Sequence, residues 1–382
     1  MSDQRAPLSQ DSTMSQLKPI EHRDLQQSHG ARFGECDTVE VVLDYGDASA
    51  EYDALRQSVA LLDFSQKGRI CLTGSDRVRF LNGQITNNLK PLQPGQGCYA
   101  ALLTAKGKMV SDMHVHCLTD ELLLDIEPGL TMRVIERLQQ FIVADDVEVV
   151  DLKPQYSHLS LQGPAAFEAI AQLKRRFPVP ESPYQSVVVD DPDFGECVIV
   201  AVPRLEATGL DLFVPSDTTE AAIHQLCDAV QQVGGRMAGW TALEWLRIES
   251  GIPRFGQDMD DTTIPLEAGI EARAVRYNKG CYVGQEVVNR IHSIGQVAKS
   301  LRGLVLNEEA QFLPSRGDEL LLNGKKVGHI TSAIHSPRFK RPIALGYVRK
   351  EVNKSDTEVN VATKDGELRA RVVDLPFDTK SM

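Results

Sequence analysis

The chain has 382 residues, 42% of them hydrophobic and 25% charged, and a formal charge of −12. That length accommodates two or three domains of roughly 100–200 residues, and the composition is ordinary for a soluble globular protein. The acidic balance excludes broad, sequence-independent binding to nucleic acid, which needs a basic surface, and no apolar run nears the ~18 residues that would cross a bilayer.

The first 30 residues are polar, rich in Ser and Gln, and carry Asp3, Asp11, Glu21 and Asp24. Such a segment is neither a secretory signal nor a basic presequence, so residues 1–33 read as a mobile leader and the protein as cytoplasmic. Seven scattered cysteines without a C-x-x-C pair fit a reducing compartment and give no support to a zinc ribbon or a dithiol redox site.

From about residue 40 strands and helices alternate. "GRICLTG" alternates like a strand up to Gly74, and "SDRVRFLNGQI" continues at helical spacing behind a Ser75/Asp76 cap. "SHLSLQG" and "PAAFEAIAQL" repeat the arrangement around Gly163 and Pro164, which hints at an internal duplication. "CVIVAVPR" and "GLDLFVP" read as neighbouring strands. Asp217 with Glu220, and Thr241 with Glu244, read as capping boxes of two further helices. Trp240 and Trp245 are expected in packing roles. After about residue 298, Asn323–Gly324 and Asp365–Gly366 mark two hairpins of a small antiparallel β-domain, and "PRFKRP" reads as a loop.

Chemistry concentrates in four stretches. In "NKGCYVGQEVVNR" Cys281 precedes a helical pattern and follows Lys279. A helix N-terminus and an ammonium group both favour a thiolate, and Gly280 and Gly284 would allow another molecule to approach. The alternative is a structural cysteine in a glycine-rich turn, with Gln285 and Glu286 as helix-start residues. In "MVSDMHVHC" a strand would put Asp112, His114 and His116 on one face. The aspartate there must be hydrogen-bonded or meet a ligand. A lone H-x-H pair is a poor metal signature, and no metal is expected. Asp211 interrupts an apolar strand with Arg204 nearby, and Arg247 and Glu249 fall near a helix end. By themselves these could be structural ion pairs.

Together these stretches resemble the folate-binding YgfZ/GcvT family, which unites the aminomethyltransferase (T-protein) of glycine cleavage with YgfZ-type iron–sulfur maturation factors. The similarity runs from "EYDALRQSVALLDFSQKGRICLTGSDRVRFLNGQITNNL" through "LRIESGIPRFGQD" to "VGHITSAIHSPRFKRPIALGYVRK". "KGCYVGQE" is similar to the signature of the YgfZ branch, where aminomethyltransferases usually carry K-x-D-F-x-G. The resemblance implies an α+β fold of three domains in a cloverleaf around a central opening that holds tetrahydrofolate. It has ferredoxin-like α/β units and a C-terminal antiparallel β-barrel. The corresponding division is 34–155 with 237–297 for the folate-binding domain, 156–236 for a second ferredoxin-like domain, and 298–382 for the barrel.

Residue by residue, the resemblance implies that Asp112 acts at the folate N5, Asp211 grips the pterin ring and Arg247 lies near the folate tail. Arg204, Tyr282 and Gln285 join the folate contacts, and Cys281 is a reactive thiolate tuned by Lys279. Two departures stand out: Ser111–Asp112 replaces two adjacent acids, and "EATGLD" shortens the usual "YTGEDG" loop. The implied function is a tetrahydrofolate-binding protein that supports iron–sulfur cluster assembly or repair, and through it cluster-dependent tRNA modification. Its clients would be iron–sulfur proteins, without direct nucleic-acid or membrane contact. The alternatives are a folate-dependent aminomethyltransferase of the glycine cleavage type and a folate-binding scaffold with an inert cysteine.

Overall fold

The computed structural model describes residues 19–36, 39–173, 177–205, 207, 209–307 and 312–379. The proposed strand–glycine–helix repeat is present in both places. Gly68–Thr73 leads through Gly74 to the helix Arg77–Asn82, and Tyr156–Gln162 through Gly163 to the helix Ala166–Ala171. Both glycines have positive φ, +95° and +124°, where a side chain is strained. Each is also crowded by the segment that enters the neighbouring strand: a Cβ would lie 2.1 Å from the Asp146 carbonyl oxygen at Gly74 and 2.6 Å from that of Ser58 at Gly163.

Each unit grows into its own sheet. The first has the order Gln96–Leu103, Met109–Cys117, Leu122–Ile126, Gly68–Thr73, Glu148–Asp151. The second has the order Ser186–Asp191, Gly195–Val202, Gly209–Pro215, Tyr156–Gln162, Ala60–Asp63, Arg236–Met237. Helices Arg77–Asn82 and Thr131–Gln139 cover one face of the first sheet, and helices Ala166–Ala171 and Thr219–Gln232 one face of the second. The opposite faces meet through Leu118, Leu123, Val198, Val200, Val202 and Phe213. Ala60–Asp63 thus sits in the second sheet, although the sequence division put it with the first unit, and the strand Arg236–Met237 of the same sheet straddles the boundary drawn at 236/237. Val59 and Leu61 bury against Leu159 and Leu161, and that contact outweighs sequence proximity.

Residues 19–33 are not part of a mobile leader: the helix Arg23–Ser28 and the strand starting at Arg32 are built into the fold. Gln26 is buried and donates to Asp63 Oδ2 at 2.6 Å, and Arg23 pairs with Glu40 at 3.1 Å. Residues 1–18 lie outside the described residues. The expected side-chain caps do not form either. Helices Arg77–Asn82, Thr219–Gln232 and Trp240–Glu249 start without a capping hydrogen bond. Glu244 instead binds Arg247, and Thr218 donates to backbone carbonyls.

The C-terminal part is a closed antiparallel barrel of six strands, in the order Lys299–Leu306, Pro342–Arg349, Lys325–His335, Glu319–Leu322, Glu358–Thr363, Gly366–Val373. Asn323 and Gly324 form the first tight turn, both at positive φ. In the second, Gly366 already pairs with Thr363, so Lys364 and Asp365 make the turn, one residue earlier than expected. The barrel packs through Leu301, Ile343 and Leu345 on Trp245 and Ile248 of the helix Trp240–Glu249. Residues 255–288 cover the Tyr99/Met109 edge of the first sheet. No described helix is long and apolar enough to cross a membrane.

Candidate functional site

The strand Met109–Cys117 places Met113, Val115 and Cys117 in the core of the first sheet, so alternation turns Asp112, His114 and His116 to its other face. Asp112 is 9% exposed. Tyr99 donates its hydroxyl to Asp112 Oδ2 at 2.6 Å, whereas Oδ1 is buried without a hydrogen-bond partner. Burial, reinforced by the charge of Glu127, pushes the Asp112 carboxyl up to about 6. His114 lies between Tyr99 and Tyr184, with ring centroids 5.2 and 5.8 Å away, and burial keeps it neutral. His116 packs on Phe213, and burial brings it down to about 4. Each of the three side chains has a different set of neighbours.

Asp211, on the facing sheet, is fully buried and its oxygens are occupied. Arg204 donates from Nε to Oδ2 at 2.8 Å and from Nη2 to both Asp211 and Asp125. Ser160 donates to Asp211 Oδ1 at 2.6 Å, and His158 Nε2 is 3.2 Å from Oδ2. Burial alone would raise the Asp211 carboxyl, but Arg204 and His158 hold it well below the usual carboxylate range. The carboxylate expected to grip a ring is therefore the buried half of an ion clamp, and Arg204 rather than Asp211 lines the neighbouring cavity. Ligand atoms of Asp125, His158 and Asp211 lie within 4.8 Å of one another. Arg204 already supplies their positive partner, which opposes a metal ion in the same place.

The cavity itself holds about 90 Å³ and opens to solvent through its mouth, so a ligand of drug size would extend out of it. Tyr99, Asp112 and His114 come from the first sheet, Lys67 and Glu127 from its rim, and Arg204 from beside the second. Trp240, Arg247 and Arg254 come from the helix Trp240–Glu249 and the loop after it. Lys67 and Glu127 form a buried-side ion pair. Phe64, Tyr99 and Trp240 give the walls flat aromatic surface, so Trp240 is both core and cavity wall.

Arg247 does not have the freedom its expected role requires. It donates twice to Glu244 at 2.6 Å, to Asp258 at 2.7 Å, and to Ile252 O and Ser332 Oγ at 3.1 Å. All five N–H groups of a guanidinium are thereby used, and Arg247 joins its helix to the barrel. Arg273, which the sequence reading missed, lines the cavity with its guanidinium 4.6 Å from the Tyr99 ring centroid. No described carboxylate lies within ion-pair distance of it.

The Cys281 loop is a separate feature. Lys279 points inward and donates to the carbonyls of Asn82, Ile85 and Asn87 at 2.7, 2.8 and 2.5 Å. Its three donors are thus spent on backbone, and burial lowers its ammonium to about 8. Cys281 is the one exposed cysteine of the seven. The helix Gln285–Ile294 starts beyond it at Gly284. Gly284 has a φ of +87°, and a Cβ there would lie 2.6 Å from the Thr104 carbonyl oxygen. That glycine serves internal packing rather than an incoming molecule, while Gly280 faces open space. Tyr282 is buried in the cluster that contains Tyr99 and Val288. Neither Cys281, Lys279, Tyr282 nor Gln285 lines the central cavity.

Residues 22–279 match the GCVT N-terminal domain, and residues 299–378 match the glycine cleavage T-protein C-terminal barrel domain. The chain belongs to this family. An aminomethyltransferase of Clostridium botulinum is 25% identical over 96% of this chain and 99% of its own length. One from Halalkalibacterium halodurans is 27% identical, with 95% and 99% covered. The crystal structure of glycine cleavage system aminomethyltransferase T from Bartonella henselae superposes with a TM-score of 0.85 at 24% identity, covering 95% of this chain and 98% of that one. That likeness establishes the fold, including the barrel.

Proposed function

We propose that this member of the family binds a reduced folate in the central cavity and acts there as an aminomethyl-type one-carbon transferase. The observation that carries the reading is Asp112. It is a buried carboxylate with one oxygen held by Tyr99 and the other unpaired, on the wall of a cavity with aromatic sides. Buried polar groups almost always find a partner, so an unpaired carboxylate oxygen at a cavity suits a ligand N–H. With its carboxyl raised to about 6, Asp112 suits proton transfer near neutral pH.

In the transfer, Asp112 would take the N5 proton as that nitrogen bonds to the methylene carbon of a lipoyl-bound aminomethyl group. The carbon's bond to the amine breaks as its bond to N5 forms, and its bond to the lipoyl sulfur breaks as N10 bonds to it. The N5 and N10 protons leave on ammonia and on the lipoyl thiol, and the methylene ends between the two folate nitrogens. Arg273 is the cation placed for the ligand's carboxylates, the part that Arg247 does not have donors left to play. The relatives named above are aminomethyltransferases, which favours this reading over cluster maintenance.

Titration with tetrahydrofolate, and an ammonia-release assay with a lipoylated carrier protein, test it on the wild type and on Asp112→Asn. Binding by the wild type with release lost in the variant is expected; no binding by either form would reject the reading. A second reading, support of iron–sulfur proteins, rests on Cys281, whose exposure leaves its sulfur accessible. Cys281→Ala should then lower the activity of cluster-dependent enzymes under oxidative stress, and unchanged activity would remove this reading.

A further inference from the structure

The far end of the gap between the two sheets holds a second cleft, away from Asp112 and lined by different residues. Its walls include Leu118 and Leu123 from the first sheet, and Val188, Val198 and Phe213 from the second. Val188 is 52% exposed, although it stands in register with Val198, which is 8% exposed. The strand Ser186–Asp191 that carries Val188 is the outer strand of its sheet. Ser186 N–H points away from the sheet, since it donates to Gly95 O at 2.8 Å. The alternation of an antiparallel pair then turns the backbone groups of Val188 and Asp190 outward too. No described strand pairs with them on that side.

Acidic side chains stand at the rim of the cleft, whereas Arg69, which also lines it, is fully buried and spent on Glu21 and on the carbonyls of Ser65, Lys67 and Lys153. Asp190 stands opposite Glu196, two residues along from the Val188–Val198 pair and on the same face. Asp120 and Glu121 stand on the other sheet's side. No described cation lies within ion-pair distance of Asp120, Asp190 or Glu196. A second copy of this edge would bring acid against acid, a repulsive pairing. A basic strand would meet the opposite charge.

We infer that this edge accepts an extended segment of a partner protein, added as an outer strand beside Val188–Asp190. The segment carries an apolar residue and, two positions away, a lysine or arginine. The apolar side chain enters the cleft at Val188, Leu123 and Phe213. The basic one reaches Asp190 and Glu196, and the backbone bonds to the free edge. The inference stands on the cleft and edge alone and does not depend on the folate reading.

The test uses the full chain and a labelled hexapeptide with Leu and Lys two positions apart in a Thr background. Saturable binding by fluorescence polarisation is expected, together with slowed amide exchange at Val188 and Asp190. Replacing the peptide Lys by Glu should weaken binding about tenfold, and Glu196→Lys in the protein should reverse that preference. Val188→Asp, an exposed substitution whose folding is checked by its melting temperature, should weaken both peptides. A lack of saturable binding, or equal binding of the Lys and Glu peptides, overturns the inference. So does protection of those amides without peptide, whether it grows with protein concentration, which assigns the edge to a second copy, or disappears when residues 1–18 are removed, which assigns it to the chain's own N-terminus.

Discussion

Asp112 on the five-stranded sheet and Asp211 on the six-stranded sheet both face the gap between the two repeated units, and both are buried. Their surroundings differ in what they leave over. Asp211 has an arginine, a serine hydroxyl and a histidine within reach. Asp112 has one tyrosine hydroxyl and a bare oxygen. The environments move the two carboxyls in opposite directions, down for Asp211 and up for Asp112. Burial therefore does not distinguish a structural acid from a reactive one; the balance of partners does.

The largest effect should come from breaking the satisfied site. Asp211→Ala leaves Arg204 buried beside Asp125 alone and leaves Ser160 without its acceptor. The expected loss is about 3–5 kcal/mol in urea unfolding. A loss under about 1 kcal/mol would mean that the clamp does not hold the two sheets together.

Lys279→Met comes next. It removes the donor shared by three buried carbonyls that fasten residues 82–87 to the Cys281 loop, and about 3 kcal/mol should be lost. The titration gives a second check. The folded ammonium is lowered to about 8 from 10.5, so between those values the unfolded chain binds more protons. Stability contributed by Lys279 should thus rise as pH increases from about 8 towards 10.5 and stay flat below. A wild-type minus Lys279→Met difference that stays flat or falls across that window would mean that the three carbonyls outweigh burial and the ammonium is not lowered.

Asp112→Asn should act in the other direction on stability. The carboxyl is raised to about 6 from 3.8, so the folded chain holds the proton more tightly and this group's contribution to stability falls as pH rises between those values. Replacing it with a neutral amide should stabilise the chain by roughly 1–3 kcal/mol at pH 7, while the proposed folate-dependent turnover should be lost. Turnover of the wild type should climb through pH 6 as Asp112 ionises. If the variant were destabilised as much as Asp211→Ala, Asp112 would be a second structural acid.

The contrast also explains what could be read in advance. The duplication, the neighbouring strands and the barrel hairpins were legible because glycines at positive φ and alternating apolar residues are local signals. Asp112 was legible because an acid in an apolar strand is conspicuous. Asp125, in "LLLDIEP", carried the same signal and was missed, and with it the fact that Arg204 has two carboxylates to bridge. The role of Asp211 depends on a pairing 51 residues away with Ser160, and that of Arg247 on Ser332, 85 residues away. No local pattern reports such partners. Arg273 sits in a short helix without periodicity to single it out, and Lys279 turns inward only because the loop at 82–87 presents three carbonyls to it.

The smallest effect on stability belongs to Cys281. An exposed side chain with few neighbours should be replaceable by Ser within about 0.5 kcal/mol, in contrast to Lys279 two residues earlier. The same loop would then carry one residue that fastens it and one that is free to react. In the native chain a thiol reagent should modify one equivalent quickly, because the other six cysteines are buried, and Cys281→Ser should abolish that fast phase. If fast labelling persisted in the variant, a buried cysteine would have to be opening to solvent, and the division between the anchored lysine and the accessible sulfur would fail.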